Sequence, residues 1–330
     1  MFETENVTRT EQTEADYRKR ASSLLERYAR ETGKDWDLHP HALLQWLHGF
    51  RDGVSAAYWR RTRAALAWYF QALGQSALSD SIRAVTTEGC APPTHTSANK
   101  KKSVTDEELA ALTKFLLSPG ASELSVATYY FFVSCLITGM RPSEWGQCDV
   151  KIISGTEKDT VDGIDIVVQN AKATNGRAHG ATRTLHFSRQ YLSPQEIQAL
   201  INHWRFTAQR VADGTFPLFQ RDAGKKIQYA ARKLWPRKRR RITLYSTRHQ
   251  SMANGKASGL PRAVIAAMHG HATDRTCADH YGRKQYGKAG RVYAQVPEEE
   301  VARVRQVSKD WTPPDRTRTQ PAGNTSGDRG

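Results

Sequence analysis

Residues 245–281 read YSTRHQSMANGKASGLPRAVIAAMHGHATDRTCADHY, and the rest of the chain is interpreted outward from this stretch. Leu260, Val264, Ile265 and Met268 recur at helical spacing, and Pro261 suits a first turn, so 259–268 predicts a helix with one buried face. Gly270 follows that helix and His271 falls on the turn. Thr273 or Asp274 can then cap a last helix that presents Tyr281. Arg248, His249, His271 and Tyr281 therefore share one short, mostly helical segment. Taken singly each has an ordinary explanation, such as a half-buried packing tyrosine or a histidine closing a helix.

A second arginine stands far upstream in TGMRPSE (138–144), directly after the apolar run 129–137. Pro142 fits the first position of a helix, which puts Arg141 at a helix N-terminus where backbone N–H groups also face an anion. A guanidinium fork there holds two phosphate oxygens and stays charged. Glu144 is expected to brace the turn. Between the two arginine segments, 163–168 (GIDIVV) and 182–187 (TRTLHF) read as two strands, joined by a polar connection that carries Lys172.

In this order, the motifs resemble the tyrosine recombinase, or phage integrase, family. Its signature is an arginine in a TGxRxSE turn, a lysine on a β-hairpin, a [HKY]xxRH box, a GH box and a tyrosine shortly after. The chain offers Arg141, Lys172, Tyr245 with Arg248 and His249, Gly270 with His271, and then Tyr281. Any one box is weak, whereas the full set in order over 138–281 is specific. Two departures stand out. Tyr245 occupies a position where the family often has histidine, and the interval from His271 to Tyr281 is one residue longer than usual.

The resemblance implies a mainly α N-terminal DNA-binding domain and an α+β catalytic domain, mostly helical with a small antiparallel sheet, forming a C-shaped clamp on duplex DNA. Tyr281 is the implied nucleophile, forming a 3′-phosphotyrosine and releasing a 5′-hydroxyl. Arg141 and Arg248 would stabilise phosphate charge, Lys172 would protonate the leaving oxygen, and His271 would orient or deprotonate. Tyr245 can hydrogen-bond but is a poor proton acceptor near neutrality, and His249 and Glu144 are expected to support the site. No cofactor or metal is required, and a homotetramer on paired sites is the expected assembly. A type IB topoisomerase uses similar chemistry, and a DNA-binding regulator that has lost turnover is the non-enzyme alternative.

Composition agrees with a polyanionic partner. The 330 residues carry 49 Lys and Arg against 33 Asp and Glu, a formal net charge of +16, which favours nucleic acid. No apolar run approaches the roughly 18 residues of a membrane span. The polar, partly acidic N-terminus lacks a signal-peptide pattern, so a DNA-associated cytoplasmic bacterial protein is expected. Cys90, Cys135, Cys148 and Cys277 show no CxxC pairing and read as reduced thiols. A metal reading of His269, His271, Cys277 and His280 lacks a second cluster with zinc spacing.

In chain order, 1–14 is expected to be a flexible N-terminus and 15–90 a helical DNA-binding domain. Ala21, Leu24, Leu25 and Tyr28 mark the inner face of its first helix, and a second is expected over 40–50. A third, capped by Ser55, points Leu66, Tyr69, Phe70 and Leu73 inward. Arg60, Arg61 and Arg63 near its start suit phosphate contact. Residues 91–103 read as a basic linker carrying Lys100, Lys101 and Lys102. The catalytic domain spans 104–295, opening on a Thr105–Glu108 capping box, with a buried helix over 122–137 and another helix started by Ser193, Pro194 and Glu196. Arg237, Lys238 and Arg239 belong to a basic loop after Pro236, a run that also fits a nuclear signal. Residues 296–308 are expected to be a C-terminal helix needing a groove on its own domain or on a neighbour, and 309–330 a disordered tail.

Overall fold

The computed structural model describes residues 11–92, 100–155, 161–171, 173, 177–276 and 282–307. The chain is mostly helical with one four-stranded antiparallel sheet. Its buried apolar residues fall into two main clusters, one within residues 21–85 and the other within 104–294.

Four helices build the first cluster: α1 (Glu11–Thr32), α2 (Pro40–Asp52), α3 (Ala56–Ala72) and α4 (Ser76–Ala84). The stripe Ala21, Leu24, Leu25 and Tyr28 is buried as its spacing predicts, and Ser55 accepts from the Tyr58 N–H as the cap of α3. Three details differ from the sequence expectation. Helix α1 already runs at Glu11, and α4 is a fourth helix of the 15–90 region beyond the three that were expected. Leu73 is 48 % exposed, because α3 ends at Ala72 and Trp59, Thr62 and Ala65 share the buried face with Leu66 and Phe70.

The second cluster is built on α6 (Glu123–Thr138), which is apolar around most of its circumference and is buried accordingly. Around it pack α5 (Asp106–Leu116), α7 (Pro194–Ala212), α8 (Phe216–Leu234) and α9 (Leu244–Ala257). The predicted capping boxes at Thr105–Glu108 and Ser193–Glu196 both form. The sheet has the order β1 (Cys148–Ser154), β2 (Val161–Gln169), β3 (Thr182–Ser188) and β4 (Ala294–Gln295). The expected strands correspond to β2 and β3, with Ile164, Ile166 and Val168 facing the core from one and Leu185 and Phe187 from the other. β1 was not anticipated. Its CDVKIIS sequence alternates half-buried and exposed residues and carries little apolar signal until it pairs with β2.

Helix α10 (Arg262–Met268) follows α9, with Pro261 immediately before its first residue. The expected C-terminal helix is shorter than its valine spacing suggested, covering Glu298–Ala302. In this chain the segment packs in cis: Val304 is buried against Met252, Ile265, Ala266 and Ala267. Among the described residues no helix is long and apolar enough to cross a membrane.

Candidate functional site

The site forms where the C-terminus of α6, the start of α9 and the turn after α10 meet. Helix α6 ends on Gly139, whose φ of 65° is left-handed. A side chain there would also collide with His269 and Ser251, so glycine answers both a backbone and a packing demand. Arg141 then caps a 3₁₀ turn, Pro142–Gln147, rather than the α-helix expected from Pro142. The Glu144 carboxylate accepts the Arg141 backbone N–H at 2.8 Å and pairs with its guanidinium at 2.5 Å.

Glu144 does more than brace this turn. Its second oxygen lies 2.7 Å from Nη2 of Arg183 and 4.0 Å from Nη1 of Arg248. Among the described residues it is the carboxylate on which these three buried guanidiniums converge. Burial alone would raise its pKa, but Arg183, Arg248 and Arg141 outweigh that effect and hold the carboxyl far below its usual range.

Arg248 is fully buried on the first turns of α9. It donates to the carbonyls of Gly139 at 2.8 Å and His269 at 2.5 Å, and its Nη2 lies 3.1 Å from Nε2 of His271. Burial, with Arg141 nearby, lowers its pKa to about 10, so it remains charged at neutral pH. Since a guanidinium only donates, Nε2 of His271 accepts, and the ring proton sits on Nδ1. Burial and then Arg248 push the His271 pKa well below the ordinary imidazole value. The ring is therefore neutral in the folded chain.

His271 reaches this position because Gly270 turns the chain with a φ of 64°, and a side chain at Gly270 would strike Asn170 and Arg183. His269, its ring 6.4 Å from that of His271, has different partners. Its Nδ1 donates to the Ile265 carbonyl at 2.8 Å, which leaves Nε2 to accept from Ser251 at 3.2 Å. Tyr245 and His249 are half-buried one turn apart, ring edge to ring face at 5.6 Å. Burial, Lys102 and Arg248 lower the His249 pKa to about 4. Lys172 and Tyr281 lie outside the described residues, as do Cys277 and His280. Among the described residues no group of three or more His, Cys, Asp or Glu is arranged to hold a metal.

Arg183 and Asn170 were missed by sequence reasoning. Arg183 donates Nε to the Met268 carbonyl at 3.1 Å and Nη1 to Asn170 Oδ1, while Asn170 Nδ2 donates to the Gly180 carbonyl at 2.9 Å. A signal was present. In TRTLHF, residue 183 shares the inward parity of Leu185 and Phe187, and an arginine on a core-facing position must be paired.

The two basic stretches come together beside α9. Lys100 and Arg241 form a parallel bridge, the Lys101 N–H donates to the Arg241 carbonyl at 2.8 Å, and Ser246 donates to the Lys101 carbonyl at 2.5 Å. Lys100, Lys102, Arg237, Lys238 and Arg239 are exposed. Lys101 and Lys238 both pair with Glu108. On α3, Arg60 and Arg61 are exposed, whereas Arg63 is half-buried and donates to the Val85 carbonyl at 2.7 Å just past the end of α4.

Neither protein-family models nor curated proteins give a match to the chain.

The buried histidines set an expected pH response. His203, stacked on Phe131, has its pKa lowered to about 3 by burial, and His269 and His271 are also depressed. Each resists protonation when folded but accepts a proton near pH 6.5 when unfolded. Their contribution is complete above that pH and is lost as pH falls below it, by up to about 1.4 kcal/mol per unit for each site. Urea midpoints measured from pH 8 to pH 5 should fall steadily below about 6.5. A flat profile would show that these rings titrate alike in both states.

Proposed function

We propose that the chain is a site-specific DNA recombinase of the tyrosine recombinase type, cleaving and rejoining duplex DNA through a 3′-phosphotyrosine. The observation that carries this reading is the convergence of Arg141, Arg248 and His271, from three separate segments, on one buried Glu144-centred cluster. Two guanidiniums held in place by a carboxylate and by backbone carbonyls need little reorganisation to receive a phosphoryl group. Each such preorganised donor lowers a barrier by roughly 3 kcal/mol.

In the proposed step the Tyr281 phenol oxygen attacks the scissile phosphorus and the bond to the 5′-oxygen breaks. Lys172 supplies the proton to that oxygen. Arg141 and Arg248 take the non-bridging oxygens. His271, whose Nε2 carries no proton, orients the phosphate and accepts the proton that the Tyr281 phenol gives up. The phosphodiester energy is retained in the phosphotyrosine, so rejoining needs no nucleotide cofactor. Gly282, which follows Tyr281 in the chain, lies so close to the His249 carbonyl that no side chain fits, and its own carbonyl accepts from Lys256 at 2.9 Å. The residue that follows Tyr281 is thus anchored on α9, the helix that carries Arg248.

The helical cluster of residues 21–85 is proposed as the second jaw of a DNA clamp, and a tetramer on paired sites as the working assembly. A duplex nicked just beyond the scissile phosphate tests the chemistry, because the short 5′-hydroxyl product diffuses away and traps a covalent adduct. Failure of the wild-type chain to form one on its cognate site overturns the proposal.

The bridged basic stretches should carry sequence-independent affinity. Neutralising Arg237 and Arg239 is expected to weaken binding to all duplexes and to reduce the salt slope by roughly 0.9 for each phosphate that is no longer neutralised. Lys101 and Lys238, already engaged by Glu108, should matter less. An unchanged slope in the Arg237/Arg239 variant would place both side chains away from DNA.

A further inference from the structure

Glu300 is buried, although its neighbours Glu298 and Glu299 face solvent. Its carboxylate reaches back to the sheet: one oxygen accepts the backbone N–H of Thr184 at 2.7 Å and the other accepts from Nε2 of His179 at 3.2 Å. β4 pairs only with His186 and Phe187 on that edge of β3, so Glu300 satisfies a strand N–H that the short β4 does not reach. A few residues on, the same segment grips the turn that carries His271. The Arg305 N–H donates to the Ala272 carbonyl at 3.0 Å, while the Ala272 N–H donates to the Arg177 carbonyl at 3.2 Å. Asp274 closes the arrangement, donating its N–H to the Arg305 carbonyl at 3.2 Å and accepting the Val307 N–H at 2.9 Å.

Ala272 is thus the middle member of a three-layer junction. On one side lies the base of the β2–β3 connection, in which Lys172 stands, and on the other lies the C-terminal segment. We propose that residues 298–307 act as a strap that positions His271 and the base of that connection against Arg248, with Glu300 as its positioning residue. What the strap is for rests on the recombinase reading, but its mechanical coupling does not. Removing the carboxylate leaves the Thr184 N–H and His179 without their acceptor, and it frees the connection at the end where it enters β3.

The test uses the full-length chain as wild type, Glu300→Ala and Glu300→Gln. Amide exchange is followed in peptides covering 177–188 and 266–274, with 106–138 as reference. Duplex affinity and single-turnover cleavage of the nicked duplex are measured alongside. In Glu300→Ala, exchange should rise in the first two regions and not in the reference. Cleavage at saturating DNA should slow about tenfold or more through misplacement of the site, with affinity unchanged. Glu300→Gln, whose amide oxygen still accepts from Thr184, should recover most of the rate. Unchanged exchange, a rise throughout the chain, or local loosening with a wild-type cleavage rate overturns the strap. If the wild-type chain forms no adduct, the recombinase reading fails and the exchange pattern alone decides whether the strap exists.

Discussion

Tyr281→Phe is expected to bind duplex DNA with wild-type affinity and to form no covalent adduct, a loss of roughly 10⁴-fold or more in cleavage. The change removes one oxygen, and that oxygen makes the proposed bond to phosphorus. Two other tyrosines follow closely and are weaker candidates. Burial, together with the charge and hydrogen bond of Glu196, raises the Tyr293 pKa to about 12, which makes its phenol the harder to deprotonate. Tyr286 is 50 % exposed, at the end of the 3₁₀ turn Lys284–Tyr286, and its carbonyl accepts from Gln250 at 2.8 Å. Peptide mapping of the wild-type adduct should find the modification on residue 281. An adduct that persists in Tyr281→Phe and maps to Tyr286 would sink the assignment.

The second large effect is expected at Glu144. Its side chain is fully buried beneath Arg141, Arg183 and Arg248, and Glu144→Ala leaves those guanidiniums facing one another in a desolvated site. Breaking such a group from one side costs about 3–5 kcal/mol, which should appear as a lower urea midpoint at unchanged m-value. The acid response has a definite sign. Because the folded-state pKa lies below the ordinary value of 4.5, the carboxylate stabilises fully above that pH and its contribution drains away as pH falls. The variant should therefore lose stability most at neutral pH, with the gap to wild type narrowing in acid. A stable Glu144→Ala with an unchanged midpoint would mean that the cluster is held by backbone packing rather than by charge. Added sulfate or phosphate should stabilise the wild-type chain if the arginines accept an anion.

Much of the framework was legible in the residues because it depends on local rules. The α1 stripe, the Ser55 cap, the Thr105 and Ser193 capping boxes and the β2–β3 pair all follow from periodicity and from hydrogen bonds spanning three residues. Such features form wherever the same short pattern occurs. β1 and β4 escaped notice because their identity depends on their partners. CDVKIIS shows little preference until β2 lies beside it, and Ala294–Gln295 is a strand only because β3 offers an edge.

The same division runs through the site. The order of Arg141, Arg248, Gly270 and His271 along the chain carries the family resemblance, and that resemblance is what grouped them before any contact between them was known. Where their charges go was decided by the tertiary structure. Glu144, read as a local brace, is the shared counter-ion of arginines from three segments, and Arg183, which the sequence reading passed over, is among its principal partners. Glu300, one of three consecutive glutamates, is set apart from its neighbours only by the fold of the segment back onto the edge of β3. A buried charge takes its role from what surrounds it in a medium of low dielectric, and those surroundings are assembled only when distant segments pack.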